Sequence, residues 1–256
     1  MELTKDSLPF LTGMGYRKQC DFIYDEFYKF DIDQVEQFDG MKIFVKTDML
    51  FEFQSIILIK IKKNFVLYTH NSDLCIDDKY LQIINNDYLL KWYGQNINTC
   101  NDKLVSIPIG IANSRWNHGN VDILRKIINE NNSKVNNVYC NIDINTNRQE
   151  RIECISNIHP IKNSNRSDFE SYLREISKSY FVISPNGNGI DCHKTWESLY
   201  LKSIPIVTKS INISYYKDYP ILILDNWSDI KNFNLNEDLY NKLISKYENF
   251  SNGAIC

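Results

Sequence analysis

Several features that would announce a function are missing from this 256-residue chain, and each absence removes a class of partner. With Lys plus Arg at 29 against Asp plus Glu at 32 and a net charge of −3, there is no overall basic field. Duplex nucleic acid, held largely by Lys and Arg on phosphates, is thereby excluded as the main partner. Seven cysteines (Cys20, Cys75, Cys100, Cys140, Cys154, Cys192, Cys256) are scattered and odd in number, never in a Cys-x-x-Cys or His/Cys metal spacing. They read as reduced thiols, with no metal site. The opening Met-Glu-Leu-Thr-Lys-Asp has neither a basic start leading to an apolar stretch nor a cleavage site, and no window approaches the ~20 apolar residues of a membrane span. A cytoplasmic protein without a membrane span is expected. Asn-x-Ser sequons at Asn131, Asn165, Asn212, Asn226 and Asn249 follow from the abundance of asparagine and are read as unused.

What is present is a regular alternation. A 43% hydrophobic content supports a real core, and the length suits one large α/β domain or two small ones of roughly 100–200 residues each. Residues 1–38 mix aromatics with acids and read as turns and a short helix. Strands are predicted at Lys42–Lys46, Phe65–Thr69 and Leu104–Ile109, an apolar run at Tyr88–Tyr93, and helices at Met49–Lys62 and Lys79–Ile84. After a turn-rich stretch from Pro108 to Asn120 and a helix at Val121–Asn129, the polar run Asn131–Asn137 marks a domain boundary. The second half restarts with a strand at Asn137–Asp143 and a capping box, Thr146 to Gln149, opening a helix to Ser156. A second box, Ser167 to Glu170, opens a helix whose Phe169, Tyr172, Leu173 and Ile176 form a core-facing stripe. Strands at Tyr180–Ser184, Ile204–Thr208 and Pro220–Leu224 and a helix at Glu237–Asn249 complete the pattern. Strands alternating with helices predict parallel sheets. The expected architecture is two small Rossmann-like domains, residues 1–131 and 132–256.

The richest stretch is Phe181–Lys209: an apolar run, the turn Ser-Pro-Asn-Gly-Asn-Gly-Ile-Asp, a helix carrying His193, Lys194 and Glu197, and a second apolar run. Glycines let a backbone approach a ligand closely, and a helix N-terminus offers free N–H groups and partial positive charge to a phosphate. Asn186, Gly187, Asn188, Gly189 and Asp191 are the loop candidates, with Asp191 as a possible N-cap. The plainer alternative is a βα turn that needs positive φ at Gly187 and Gly189. Lys194 in the first turn works against the helix dipole and gains from an anionic ligand. Glu197 suits hydrogen bonds from ribose or sugar hydroxyls, and His193 lies one turn before it on the same face. An ion pair of Lys194 with Glu197 is the bland reading.

The unit from Tyr180 to Trp227 resembles the carboxy-terminal region of exostosin-like glycosyltransferases, through Phe-Val-Ile-Ser-Pro-Asn-Gly, His-Lys-Thr-Trp-Glu-Ser-Leu, Ile-Pro-Ile-Val and Pro-Ile-Leu-Ile-Leu-Asp-Asn-Trp. The resemblance implies a GT-B-like fold with parallel sheets facing a central cleft. It further implies a nucleotide-sugar donor held mainly by the second domain, no obligatory metal or other cofactor, and transfer to a hydroxyl of a glycan or glycoconjugate acceptor. Lys194 stands where the family usually has Arg, keeping charge but losing the bidentate fork. Glu197 corresponds to the family carboxylate. A UDP-sugar is the favoured donor, and the resemblance implies inversion of configuration and the activity of a hexosyl- or pentosyltransferase. The short length and the absence of an anchor resemble members from large DNA viruses, which would place the chain in a host cytoplasm.

For the base that deprotonates the acceptor, loops at strand carboxyl ends offer Asp48, His70 and Asp73; His70 has the best intrinsic pKa near neutrality. Capping for the two aspartates, and a buried, satisfied imidazole for His70, are the alternatives. Arg115 in the crossover and Arg151 at the first βα junction of the second domain are candidates for balancing donor phosphate charge. Two rivals remain: a nucleotide-sugar epimerase of GT-B type, and a catalytically silent carbohydrate-binding protein.

Overall fold

The computed structural model describes residues 9–253; the amino-terminal stretch read above for targeting signals, and Cys256, lie outside the described residues. The protein is α/β, with two parallel sheets flanked by helices and two compact units. Thr12–Ile109 forms one, and the chain from Gly110 onward, joined by the segment ending at Leu11, forms the other.

In the first unit the order is α1 (Gly13–Lys18), β1 (Phe22–Tyr24), β2 (Met41–Lys46), α2 (Leu50–Ile56), β3 (Phe65–His70), α3 (Leu81–Ile84), β4 (Leu89–Gly94) and β5 (Leu104–Ser106). All neighbouring strands pair in parallel, in chain order from β1 to β5. Ile43, Phe44 and Val45 of β2 are fully buried, as a near-continuous apolar run in a parallel sheet should be. Strand β1, hidden in the aromatic-rich amino-terminal segment, was not expected. The long helix expected over residues 49–62 is broken into a 3-10 turn (Thr47–Met49), α2 and a second 3-10 turn (Leu58–Lys60). The run Ile56, Ile57, Ile59 and Ile61 accounts for the break, since β-branched side chains crowd the preceding helical turn.

The second unit contains α4 (Val121–Glu130), β6 (Asn136–Tyr139), α5 (Arg148–Asn157), α6 (Phe169–Ser177), β7 (Ser179–Ile183), α7 (His193–Tyr200), β8 (Ile204–Thr208), α8 (Ile211–Ser214), β9 (Leu222–Leu224), α9 (Glu237–Ile244) and α10 (Tyr247–Gly253). Its sheet again runs in chain order, β6 to β9, all parallel. An order without reversal has no switch point of the doubly wound kind, so the carboxyl ends of the strands are the positions left for chemistry. Phe181, Ile183, Ile204 and Ile206 form the centre of the core, closed by Trp227 from the 3-10 turn Trp227–Asn232.

The units divide at Ile109–Gly110, ahead of the boundary after residue 131 expected from the polar run. Those residues belong to the second unit because α4 packs on α6. Arg174 bridges Glu130 and Glu170, and Lys126 joins Glu170. The polar run is a helix ending: Asn131 takes a left-handed conformation with φ 46° and closes α4.

Caps also differ from expectation. Thr146 does not cap α5; the N-cap is Asn147, left-handed and without a side-chain capping bond, its Nδ2 donating instead to Glu150 Oε2 at 3.0 Å. Asp168, not Ser167, caps α6, its carboxylate accepting from the Ser171 amide at 2.9 Å. A carboxylate is the better acceptor at a positive helix end.

Candidate active site

A pocket of about 480 Å³ opens at the carboxyl ends of β6 and β7, within the second unit. Residues following β6 supply Asn141, Asp143 and Arg151, the start of α6 supplies Asp168 and Tyr172, and α7 supplies His193, Lys194 and Glu197.

Helix α7 is fixed against its strand before it presents anything. Trp196 and Leu199 are fully buried, and the Ser184 and Thr195 hydroxyls meet at 2.9 Å beneath the helix start. The N-cap is Cys192, which makes no side-chain capping bond. Asp191 is structural: its Oδ1 accepts from the Trp196 indole at 2.8 Å and from the Cys192 amide at 2.9 Å. Tyr200 is buried edge-on against Phe10 at 5.0 Å, and its hydroxyl accepts from the Leu11 amide at 2.9 Å.

Three cations line this pocket, Lys194, Arg151 and the exposed Arg166, and none forms an ion pair with a carboxylate among the described residues. The Lys194 ammonium donates to the Asn141 carbonyl oxygen, and burial pushes it below the ordinary lysine value. The Arg151 guanidinium donates from Nε to Asn186 O at 2.9 Å and from Nη1 to Asp143 O at 2.8 Å. Neutral carbonyls orient these groups without cancelling their charge.

Glu197 is buried, at 3% exposure. The expected i, i+3 ion pair with Lys194 is not formed; instead the Tyr172 hydroxyl donates to Glu197 Oε2 at 2.7 Å. Burial lifts the carboxyl to about 7, against the lowering effects of the Tyr172 bond and the Lys194 charge. Tyr172 itself is pushed well above the usual phenol range, first by burial and then by the Glu197 charge. His193 Nδ1 lies 2.7 Å from Gly110 O. Since a carbonyl only accepts, this bond fixes the proton of the neutral ring on Nδ1 and leaves the lone pair on Nε2.

The glycine loop differs from the expectation. Neither Gly187 nor Gly189 has positive φ, so no turn geometry demands them. A Cβ at Gly187 would lie 3.7 Å from Arg151 Nη2, in ordinary contact. The Asn186 amide already donates to Glu150 Oε1 at 3.1 Å, so an internal carboxylate sits where a phosphate was expected. Asn186, Gly187, Asn188, Gly189 and Asp191 do not line the pocket, whereas His193, Lys194, Glu197 and Arg151 do. Arg115 lies in a neighbouring exposed loop, its guanidinium 5.4 Å from the Trp116 ring centroid.

In the first unit, His70 ends β3 and is 2% exposed. Its Nε2 donates to Pro108 O at 3.0 Å, and its Nδ1 accepts from the Asn71 amide at 2.7 Å. Gly13 packs against it so closely that a Cβ there would come within 2.4 Å of Nδ1. Asp48 and Asp73 are exposed, Asp48 lying 3.8 Å from the Lys46 ammonium.

Sequence reasoning missed Asn141, Asp143, Arg166 and Asp168 as wall residues and took Tyr172 as apolar core. The one available signal was Tyr172 itself, a hydroxyl at the start of a helical stripe that needs a partner when buried. Among the described residues no group of three or more His, Cys, Asp or Glu side chains is placed to hold a metal ion, and no helix is long and apolar enough to cross a membrane. No protein-family model matches the chain, and no curated protein is significantly similar to it.

Proposed function

We propose that the protein is a glycosyltransferase of GT-B type that takes a nucleotide-sugar, foremost a UDP-sugar, and transfers the sugar to a carbohydrate hydroxyl. One observation carries the reading: Lys194 and Arg151 line one pocket at strand carboxyl ends, each held on backbone carbonyls and neither in an ion pair with a carboxylate of the described residues. A diphosphate supplies the missing charge, and the start of α7 adds its partial positive charge. Glu197, anchored by Tyr172, is left to accept from sugar or ribose hydroxyls.

In the reaction the acceptor oxygen bonds to the anomeric carbon as the bond from that carbon to the β-phosphate oxygen breaks. The electron pair leaves with the nucleoside diphosphate, and the acceptor proton passes to a base. Lys194 and Arg151 stabilise the charge that grows on the departing diphosphate, a role that requires no metal. Of the three base candidates, the exposed carboxylates of Asp48 and Asp73 stand ahead of His70, whose ring nitrogens are both engaged. Attack from the face opposite the leaving group inverts the anomeric centre.

A second reading, donor binding without turnover, is favoured by that same engagement of His70. Thermal shift with UDP-, GDP- and CMP-sugars tests the binding half of both readings, since a ligand that binds only the folded state raises Tm by mass action. Stabilisation by one nucleotide class, lost in Lys194→Met, is expected; no stabilisation by any of them sinks both. Release of free nucleoside diphosphate on adding a glycan acceptor selects the transferase, and its absence selects the silent binder.

A further inference from the structure

The loop between Ala112 and α4 carries an aromatic surface that the donor reading leaves unused. Trp116 is 52% exposed, whereas the other three tryptophans, Trp92, Trp196 and Trp227, are 0%, 0% and 1% exposed. Its ring lies nearly parallel to that of His118, with centroids 6.2 Å apart and an interplanar angle of 18°. His118 in turn stands 6.2 Å from His193, and both histidines line the pocket that holds Lys194 and Glu197. A row of rings therefore runs from the interior of the pocket to an open tryptophan at its rim.

The loop is built to hold this position. Gly119 is packed so tightly that a Cβ would fall 2.1 Å from Asn113 O, and the Trp116 amide donates to the same Asn113 oxygen at 3.0 Å. Asn120 then caps α4, its Oδ1 accepting from the Asp122 and Ile123 amides at 3.1 and 3.3 Å. An exposed tryptophan on a tightly turned, capped loop keeps its orientation without being buried.

We infer that Trp116 is the acceptor platform: the apolar face of a pyranose ring in a neutral glycan stacks on its indole, beside the donor pocket. The inference rests on the donor reading of that pocket. A flat indole matches the C–H face of a sugar ring, and the half-exposed site admits an extended chain, which a nucleobase does not require. The Arg115 guanidinium beside the ring and the His118 imidazole offer donors to sugar hydroxyls at its edge. His118 is held below its ordinary pKa by burial, so a neutral imidazole faces the sugar near neutrality.

The burial of the other tryptophans makes the test selective, because iodide quenches only exposed indole. The full chain is titrated with cello-, xylo- and chito-oligosaccharides, and separately with UDP, while iodide quenching is followed; Trp116→Phe and Trp116→Ala are run alongside. The expected result is that at least one oligosaccharide series shields the quenchable fraction at least twofold and UDP does not. Trp116→Ala should then weaken that oligosaccharide by about tenfold or more, Trp116→Phe by less, with the thermal shift from UDP-sugar unchanged in both. Shielding by UDP, or by none of the oligosaccharides, overturns the platform. If UDP-sugar still stabilises the protein in that case, only the platform falls; if no nucleotide-sugar stabilises it, the donor reading has fallen first.

Discussion

The ends of β3 and β7 make an instructive pair. Both strands lie inside parallel sheets whose order follows the chain, and both are followed by polar loops with a histidine beside them, His70 at the end of β3 and His193 at the start of α7. After β3, every potential of the imidazole is spent: Pro108 O and the Asn71 amide take its two nitrogens, and Gly13 seals it. After β7, Lys194 and the nearby Arg151 are oriented by carbonyls and left electrostatically open. Position at a strand carboxyl end is therefore not enough; the excess of charge over internal partners distinguishes a site from a joint. Lys134 sharpens the point. It too is an amine on neutral acceptors, Leu201 O and the Ser203 hydroxyl, pushed down to about 7 by burial and by the nearby Lys202 charge, yet it does not line the pocket that holds Arg151 and Glu197. The combination of Lys194, Arg151 and Glu197 carries the argument, not a buried lysine alone.

The largest effect expected from this contrast is on binding. Lys194→Met, which keeps the apolar stem and removes the charge, should weaken a UDP-sugar by about 2–4 kcal/mol, or some 30- to 1000-fold, in titration calorimetry. A loss under threefold breaks the distinction between the two strand ends. His70→Ala should act the opposite way, lowering stability by about 2–4 kcal/mol in urea unfolding through two unpaired backbone groups and a cavity, while leaving nucleotide-sugar affinity intact. An undiminished stability there would mean that the imidazole is not the structural joint described.

Next in size is the pH response of Glu197. Its folded value of about 7 lies above the ordinary 4.5, so between those values the folded state holds a proton that the unfolded state has released. The contribution to stability is full below about 4.5 and is lost as pH rises through 7, a change of about 3 kcal/mol at most. Glu197→Gln keeps an acceptor for Tyr172 and removes the titration. Its stability relative to the native chain should therefore rise between pH 5 and pH 8; an equal difference at both pH values contradicts the burial argument. The smallest effect belongs to Gly187→Ala. With φ outside the positive region and ordinary contact at the Cβ position, stability should move by less than about 0.5 kcal/mol. A larger loss would restore the glycine loop to importance.

How far the sequence foretells this picture follows from the range of the interactions involved. Strand β8 matches its predicted bounds because Ile-Pro-Ile-Val is a continuous apolar run in a buried parallel strand. Arg151, Lys194 and Glu197 were visible as charges near helix starts, a local property. The Tyr172 bond to Glu197 spans 25 residues and the Glu150 bond to Asn186 spans 36. Such contacts depend on which helix is laid beside which strand, and no periodicity encodes them. The glycines misled for the same reason: their spacing suggested a phosphate cradle, while the tertiary structure placed a carboxylate on the first amide of the loop. The capping residues shifted by one because several short polar side chains in a row compete for one helix end, and backbone conformation decides among them.

The most direct test is a crystal structure of the protein soaked with UDP. The account predicts the diphosphate between Lys194 and Arg151 at the amino-terminal end of α7, with Glu197 still bonded to Tyr172. Diphosphate density elsewhere, or a pocket without nucleotide at saturating UDP, would contradict it.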